Sequence, residues 1–376
     1  MTLSIIAVAL IGAVLAYTNG ANDVSKGIAT LAGSGVSDYK RAIVWGAIWT
    51  TFGSIAAFGF SRALVSTFGK ELLGPGVTPT LSAAIATLVG AGLWVGLATR
   101  LEFPVSTTHA IVGSIAGVMS VAYGSVGINW HVLAGKVALP LLLSPIAALL
   151  LSSSALKFWD RISTSGADCL CVEVVNQHLS LAATTIEVGT TASVPLVGLA
   201  ACCADDAATP SSRVLSVTFD RMHWLTSATS SFARGLNDTP KMVALVIAAA
   251  TLSGFSSQPS FFPYLLIALG ILAGSLYAGF RVTTVLAERV TPMDHREGFV
   301  ANLVTSLLVG PGAVFGLPMS ITHVASGAII GIGVRKGGTV DWERVSEMAL
   351  AWVVTLPASA LLGVLSYVLL RAARVM

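Results

Sequence analysis

Apolar residues run in stretches of about twenty along most of this chain, the length a helix needs to cross a hydrocarbon core. Five such stretches precede the centre, at about 3–34, 41–62, 80–99, 103–124 and 131–155. Five more follow it, at about 224–254, 261–280, 299–316, 318–334 and 346–370. A polar knot interrupts the first stretch of each set: Thr18-Asn19-Gly20-Ala21-Asn22-Asp23 in one, and Arg234-Gly235-Leu236-Asn237-Asp238-Thr239-Pro240-Lys241 in the other. The pattern predicts an all-α integral membrane protein of two repeats, 1–155 and 224–376, around a central insert at 156–223. Within that insert, residues 171–175 and 184–188 alternate enough to read as strands, so a small folded unit and a linker both fit.

Composition agrees with the pattern. The 376 residues are 55% hydrophobic and only 10% charged, with a mean hydropathy of +0.83. An average soluble domain carries about 25% charged residues, so this chain cannot dress a water-facing surface, and soluble enzyme classes drop out. A net charge of +3 is too mild to point to a nucleic-acid partner. Residues 1–16 have no basic start and no small-residue cleavage pattern, and read as a retained first membrane segment. The four cysteines, Cys169, Cys171, Cys202 and Cys203, sit in the insert without the spacing of a zinc site or of a secreted disulfide framework. They read as unpaired thiols in a loop.

The two halves align with each other. Residues 103–117, FPVSTTHAIVGSIAG, match 317–331, LPMSITHVASGAIIG, at seven of fifteen positions. Residues 20–31, GANDVSKGIATL, match 235–246, GLNDTPKMVALV, at five of twelve. The offsets are 214 and 215, so order and spacing are kept, as in an internally duplicated transporter. Five spans per half would insert the second repeat upside down. With the N-terminus outside, thirteen loop lysines and arginines between Lys40 and Arg344 fall inside, against Arg62, Lys70, Arg371 and Arg374 outside. The positive-inside rule then favours inverted repeats, external termini and a cytoplasmic insert, in an inner or plasma cell membrane.

Polar side chains inside membrane segments are expensive and mark functional sites. Asn22-Asp23 and Asn237-Asp238 each stand beside a glycine at a break in an apolar run, where a helix would restart. Asn and Asp are good N-caps, and Pro240 suits a first helical turn. Two helices restarting there would aim free N–H groups and positive dipole ends at one space, which suits an anion. Pro104-Val105-Ser106-Thr107-Thr108-His109 and Pro318-Met319-Ser320-Ile321-Thr322-His323 place small hydroxyls at the start of two further helices, able to donate to an oxyanion or lend oxygen to sodium. His109 and His323 read as hydrogen-bonding residues that fix these loops. Gly113, Gly117, Gly327 and Gly331 follow at the spacing that lets helices pack closely.

These paired G-x-N-D and P-x-S-x-T-H blocks resemble the inorganic phosphate transporter (PiT) family of Na⁺- or H⁺-coupled phosphate permeases. The resemblance covers both halves and leaves only the insert without a match. It implies phosphate import by alternating access, inverted repeats, external termini and a large cytoplasmic loop. It carries the family's two Asn-Asp pairs onto Asn22, Asp23, Asn237 and Asp238, which would also serve the coupling ion. It carries the hydroxyl-rich loops onto Ser106, Thr107, Thr108, Ser320 and Thr322. The family's run G-A-N-D-V-A-N-A is altered here, because its later Asn is Lys26 in one copy and Lys241 in the other. Each lysine follows its aspartate by three residues, on the same helical face. A lysine there would ligand the oxyanion, or replace a bound sodium ion and leave transport proton-coupled or weakly sodium-dependent, or only pair with its own aspartate.

Other readings fit less of the sequence. A permease for sulfate or arsenate would use the same hydroxyls and helix ends, but phosphate near neutral pH still carries a donor hydroxyl that a carboxylate can accept. An intramembrane enzyme lacks an HExxH pair or a G-x-S-x-G elbow to build on. An anion channel or sensor is the remaining alternative. The expected partners are inorganic phosphate and the lipid bilayer, with no cofactor beyond Na⁺ or H⁺, and a homo-oligomer is compatible with the chain.

Overall fold

The computed structural model describes residues 2–162, 169–175, 196–201, 213–254, 260–288, 290–337 and 340–373. The first half runs α1 (Thr2–Asp23), α2 (Ser25–Gly33), α3 (Tyr39–Phe60), α4 (Arg62–Ser66), α5 (Leu81–Arg100), α6 (Thr107–Tyr123), α7 (Trp130–Val132) and α8 (Leu139–Ile162). Then come three strands, β1 (Cys169–Val175), β2 (Leu196–Ala201) and β3 (Arg213–Thr218). The second half runs α9 (Phe219–Leu252), α10 (Phe262–Ala278), α11 (Phe280–Glu288), α12 (His295–Val314), α13 (Ile321–Arg335) and α14 (Trp342–Ala372). Each of the ten apolar stretches holds a helix. Short polar residues start several of them: Asp38, Thr80, Asp294 and Asp341 each accept from a backbone N–H of the first turn.

Among the described residues, seven helices are long and apolar enough to cross a membrane. The pair α10 and α11, bent by 69°, makes an eighth if it crosses as one. Two expected spans fall outside that set. The polar knot lowers the hydropathy of α9, and α13 has only 15 residues. On α1, the exposed Leu3, Ile6, Leu10 and Val14 form one stripe at helical spacing. On α8, Leu139, Leu142, Leu143, Ile146 and Leu150 do the same. Stripes of this kind face lipid in a multi-pass protein.

The two Asn-Asp pairs differ: the first lies at a helix boundary, as expected from sequence, and the second does not. One residue, Val24, separates α1 from α2 and stays in the right-handed helical region. The second pair lies inside α9, which runs unbroken for 34 residues with Pro240 in its interior. Proline lacks the N–H that the Leu236 carbonyl would accept four residues earlier. The Ser61 hydroxyl donates to that carbonyl at 2.9 Å, so a side chain repairs the ladder and the helix continues. The helix N-termini at the centre belong to α6 and α13, capped by Ser106 and Ser320.

Packing follows the duplication, with α1 against α10 as α9 is against α3, and α6 against α14 as α13 is against α8. Glycines set these crossings. A Cβ on Gly20 or Gly274 would strike the carbonyls of Ile271 or Tyr17, and one on Gly235 or Gly53 those of Thr50 or Phe232. Gly113 and Gly117 meet Leu356 and Ala360, while Gly327 and Gly331 meet Pro145 and Leu149, which gives those four glycines a packing role.

In the insert, β1 pairs with β2 and β3 in an antiparallel sheet of order β2-β1-β3. The expected strand at 171–175 lies within β1, whereas the one at 184–188 lies outside the described residues. Cys169 and Cys171 are strand residues, not loop residues; Cys202 and Cys203 lie outside the described residues. The flanking helices also outrun the apolar stretches, α8 to Ile162 and α9 back to Phe219, because polar turns continue them.

The close crossings make a stability prediction. Gly274→Val forces side-chain atoms into the Tyr17 carbonyl and should cost about 1–3 kcal/mol. It should visibly lower the thermal unfolding midpoint in detergent. Gly59→Ala, at a helical position with open space around its Cβ, should leave the midpoint unchanged or raise it slightly.

Candidate functional site

The eleven residues expected to bind substrate, Asn22, Asp23, Lys26, Ser106, Thr107, Thr108, Asn237, Asp238, Lys241, Ser320 and Thr322, are all buried, and their contacts link them at the centre of the bundle. Asn22 and Asn237 hold the turns that lead into α6 and α13. The side-chain carbonyl of Asn22 accepts from Val105 N at 3.2 Å, and its amide donates to the Phe103 carbonyl and to Thr99 Oγ1, both at 3.0 Å. The side-chain carbonyl of Asn237 accepts from Met319 N at 3.2 Å, and its amide donates to the Met319 carbonyl at 2.9 Å. The turns also tie to each other. Thr108 donates to the Met319 carbonyl at 3.3 Å, and Thr322 donates to the Val105 carbonyl at 2.8 Å. Both bonds obey the 214-residue offset.

Each turn passes through the left-handed region at matching positions, Glu102 with φ 64° and Gly316 with φ 75°. Glycine adopts that conformation without strain, while glutamate does so at a cost. Ser106 then accepts from His109 N at 3.2 Å and Ser320 from His323 N at 3.3 Å, which caps both helices. The ring nitrogen Nδ1 of His109 lies 2.8 Å from Ser106 Oγ. The His109 and His323 rings lie 4.5 Å apart, and His323 lies 4.1 Å from the Trp352 ring. Trp352 in turn donates to the Pro104 carbonyl at 3.2 Å. The two histidines therefore buttress the turns that carry the hydroxyls.

Both lysines reach their own aspartate, Lys26 at 2.6 Å and Lys241 at 3.1 Å. Each ammonium is also surrounded by further oxygens. Lys26 Nζ donates to the backbone and side-chain oxygens of Asn22, both at 2.7 Å. Lys241 Nζ donates to Thr108 Oγ1 at 2.6 Å and to the Met319 carbonyl at 3.0 Å. A carboxylate, a carbonyl and a neutral side-chain oxygen around one positive charge form the ligand set that a hard metal cation takes in a transporter. Apart from these oxygen cages, the described residues contain no group of three or more His, Cys, Asp or Glu side chains that could hold a metal.

Three residues at this centre were not singled out from sequence. Thr99 positions Asn22. Asn19, fully buried, donates through Nδ2 to Asp23 Oδ2 at 2.7 Å, Thr107 Oγ1 at 3.1 Å and Asp238 Oδ2 at 3.3 Å, so it links the two halves. Arg234 is fully buried one turn before Asn237 and Asp238. The available signal was helical spacing, since Asn19 precedes Asp23 by four and Arg234 precedes Asp238 by four. Against the first turn lies a cavity of about 430 Å³, lined by Glu102, Phe103, Pro104 and Val105 and by Arg344 and Glu347 of α14.

Comparison with known proteins gives this arrangement its place. A solved structure described as the sodium-dependent phosphate transporter shares the fold, with a TM-score of 0.79 and 22% identity, over 99% of this chain and 100% of that one. An inorganic phosphate transporter of Arabidopsis thaliana chloroplasts is 27% identical over 95% of this chain and 70% of its own length. A protein of Mycobacterium leprae, named a probable low-affinity inorganic phosphate transporter, is 27% identical over 93% of this chain and 74% of its own. The model of the phosphate transporter family matches residues 19–363, which include both Asn-Asp pairs and both hydroxyl-rich turns. The chain therefore belongs to the phosphate transporter family, a class of multi-pass membrane permeases and not of enzymes.

Proposed function

We propose that the protein is a secondary active transporter that imports inorganic phosphate by alternating access, with protons as the driving ion. The observation that carries this reading is the meeting of two buried helix N-termini, those of α6 and α13, beside two lysine–aspartate pairs. Helix N-termini offer unpaired N–H groups and a positive dipole end to an anion. Ser106, Thr107, Thr108, Ser320 and Thr322 stand within the first turns, and their hydroxyls now bond to one another's surroundings. Phosphate oxygens would take over part of that network. Asp23 and Asp238 supply acceptors for a phosphate hydroxyl, which sulfate lacks.

The bonds between the two turns, Thr108 to Met319 and Thr322 to Val105, tie the start of α6 to the start of α13. Exchanging these bonds for bonds to substrate would let the two turns move relative to each other around a fixed site. The loop charges support external termini and a cytoplasmic insert.

The relative of known structure is named for sodium dependence. In this chain an ammonium already occupies each oxygen cage beside Asp23 and Asp238, which supports lysine standing where sodium would bind. The same aspartates and Asn22 and Asn237 remain the groups through which a coupling ion acts.

Two outcomes follow. In proteoliposomes, uptake of labelled phosphate should saturate, should be inhibited by arsenate and should resist excess sulfate. Asp238→Asn should reduce it by about tenfold or more; sulfate competing as well as phosphate would overturn the substrate assignment. In calorimetric titrations, wild-type phosphate affinity should not change when choline replaces sodium. The double variant Lys26→Asn, Lys241→Asn should bind phosphate weakly without sodium and recover with it. Full sodium dependence in the wild type, unchanged in that variant, would sink the lysine reading.

A further inference from the structure

Asn19 and Arg234 hold the same position in the two repeats, 215 residues apart, and the structure treats them differently. Asn19 donates to both site aspartates. Arg234 is only 1% exposed, yet its Nη1 reaches just Thr50 Oγ1 at 3.4 Å, and its Nε and Nη2 have no hydrogen-bond partner. A guanidinium has five donors and no acceptor, and a buried one is normally paired. Asn19 Oδ1 and the hydroxyls of Ser230 and Ser231, one turn before Arg234 on α9, are buried without partners as well.

Its position on α9 places it beside the site. Residues 234, 237, 238 and 241 are spaced i, i+3, i+4 and i+7, which puts Arg234, Asn237, Asp238 and Lys241 on one face of α9. Arg234 is attracted by both Asp23 and Asp238, and it repels Lys26. The buried cluster thus sets three cationic side chains, Lys26, Lys241 and Arg234, against two carboxylates. Each lysine is matched by its own aspartate, so the guanidinium is the positive charge in excess. A low-dielectric interior makes such an excess unfavourable until an anion joins it.

We propose that Arg234 is a phosphate-binding residue, whose unpaired N–H donors grip phosphate oxygens and whose charge the incoming anion neutralises. The inference rests on the phosphate reading above. It makes the two sides of the site unequal: an amide from the first repeat links the aspartates, and a guanidinium from the second faces the substrate. A planar fork suits an oxyanion better than a point charge, so lysine is an incomplete substitute.

The test uses the full chain, wild type, Arg234→Met and Arg234→Lys, with inorganic phosphate as the probe. Thermal unfolding in detergent is followed with and without phosphate, and KM is measured by uptake into proteoliposomes. A phosphate ligand predicts that the Met variant unfolds at the same or a higher temperature without phosphate, because an unpaired buried charge is gone. It also predicts that phosphate no longer raises that temperature and that KM rises about tenfold or more, with Lys intermediate. A Met variant still stabilised by phosphate, with KM within about twofold of wild type, would overturn the proposal. So would a Met variant destabilised without phosphate whose KM is unchanged. If the Met variant does not fold, the KM of the Lys variant decides: a several-fold rise supports the proposal, and an unchanged value rejects it. Wild-type protein that is neither stabilised by phosphate nor able to take it up would reject the transport reading as well, which separates the two failures.

Discussion

An ionised side chain buried in the middle of a helical bundle is costly unless a counter-charge meets it there. Asp23 with Lys26 and Asp238 with Lys241 meet that condition, three residues apart, at 2.6 and 3.1 Å. Removing either partner would strand a charge in a low-dielectric interior, which typically costs about 3–5 kcal/mol. Much of the neighbouring architecture serves to keep these pairs in place. The small-residue crossings bring α1 and α9 against their partners closely enough to exclude other side chains, and Ser61 keeps α9 helical past Pro240.

The same pairs leave most of their oxygens committed to internal contacts. Asp23 shares its carboxylate between Lys26, Asn19 and Thr107, and Asp238 shares its own between Lys241, Asn237 and Asn19. A substrate that takes over some of these bonds therefore changes the links between the two halves at once. In the proposed transport cycle this would tie recognition to movement without a separate switch. The excess positive charge of Arg234 supplies the complementary bias, since an anion relieves it.

Much of the fold was legible because membrane spans are written in length and hydropathy. The ten apolar runs each hold a helix, and the duplication identified the blocks that meet at the centre. The serine caps at Ser106 and Ser320 were visible as hydroxyls following a proline. Helix continuity was not visible. Asn-Asp beside glycine reads as a cap in one dimension, but a hydroxyl from the distant junction of α3 and α4 satisfied the carbonyl left by Pro240, and no local pattern announces Ser61. Asn19 was overlooked for a similar reason. Its importance lies in bridging Asp23 to Asp238, which is 219 residues from Asn19 along the chain, and only the packed structure shows this. The site charges were easier to find, because a chain with 10% charged residues has few to spend inside the membrane.

The central claim is that fixed ammonium groups do the work of a bound metal cation. It is tested most directly by initial rates of labelled phosphate uptake into proteoliposomes, with sodium and proton gradients imposed separately. The account predicts accumulation driven by an inside-alkaline gradient in sodium-free medium, with no response to a sodium gradient alone. Accumulation that requires the sodium gradient and ignores the proton gradient would contradict it.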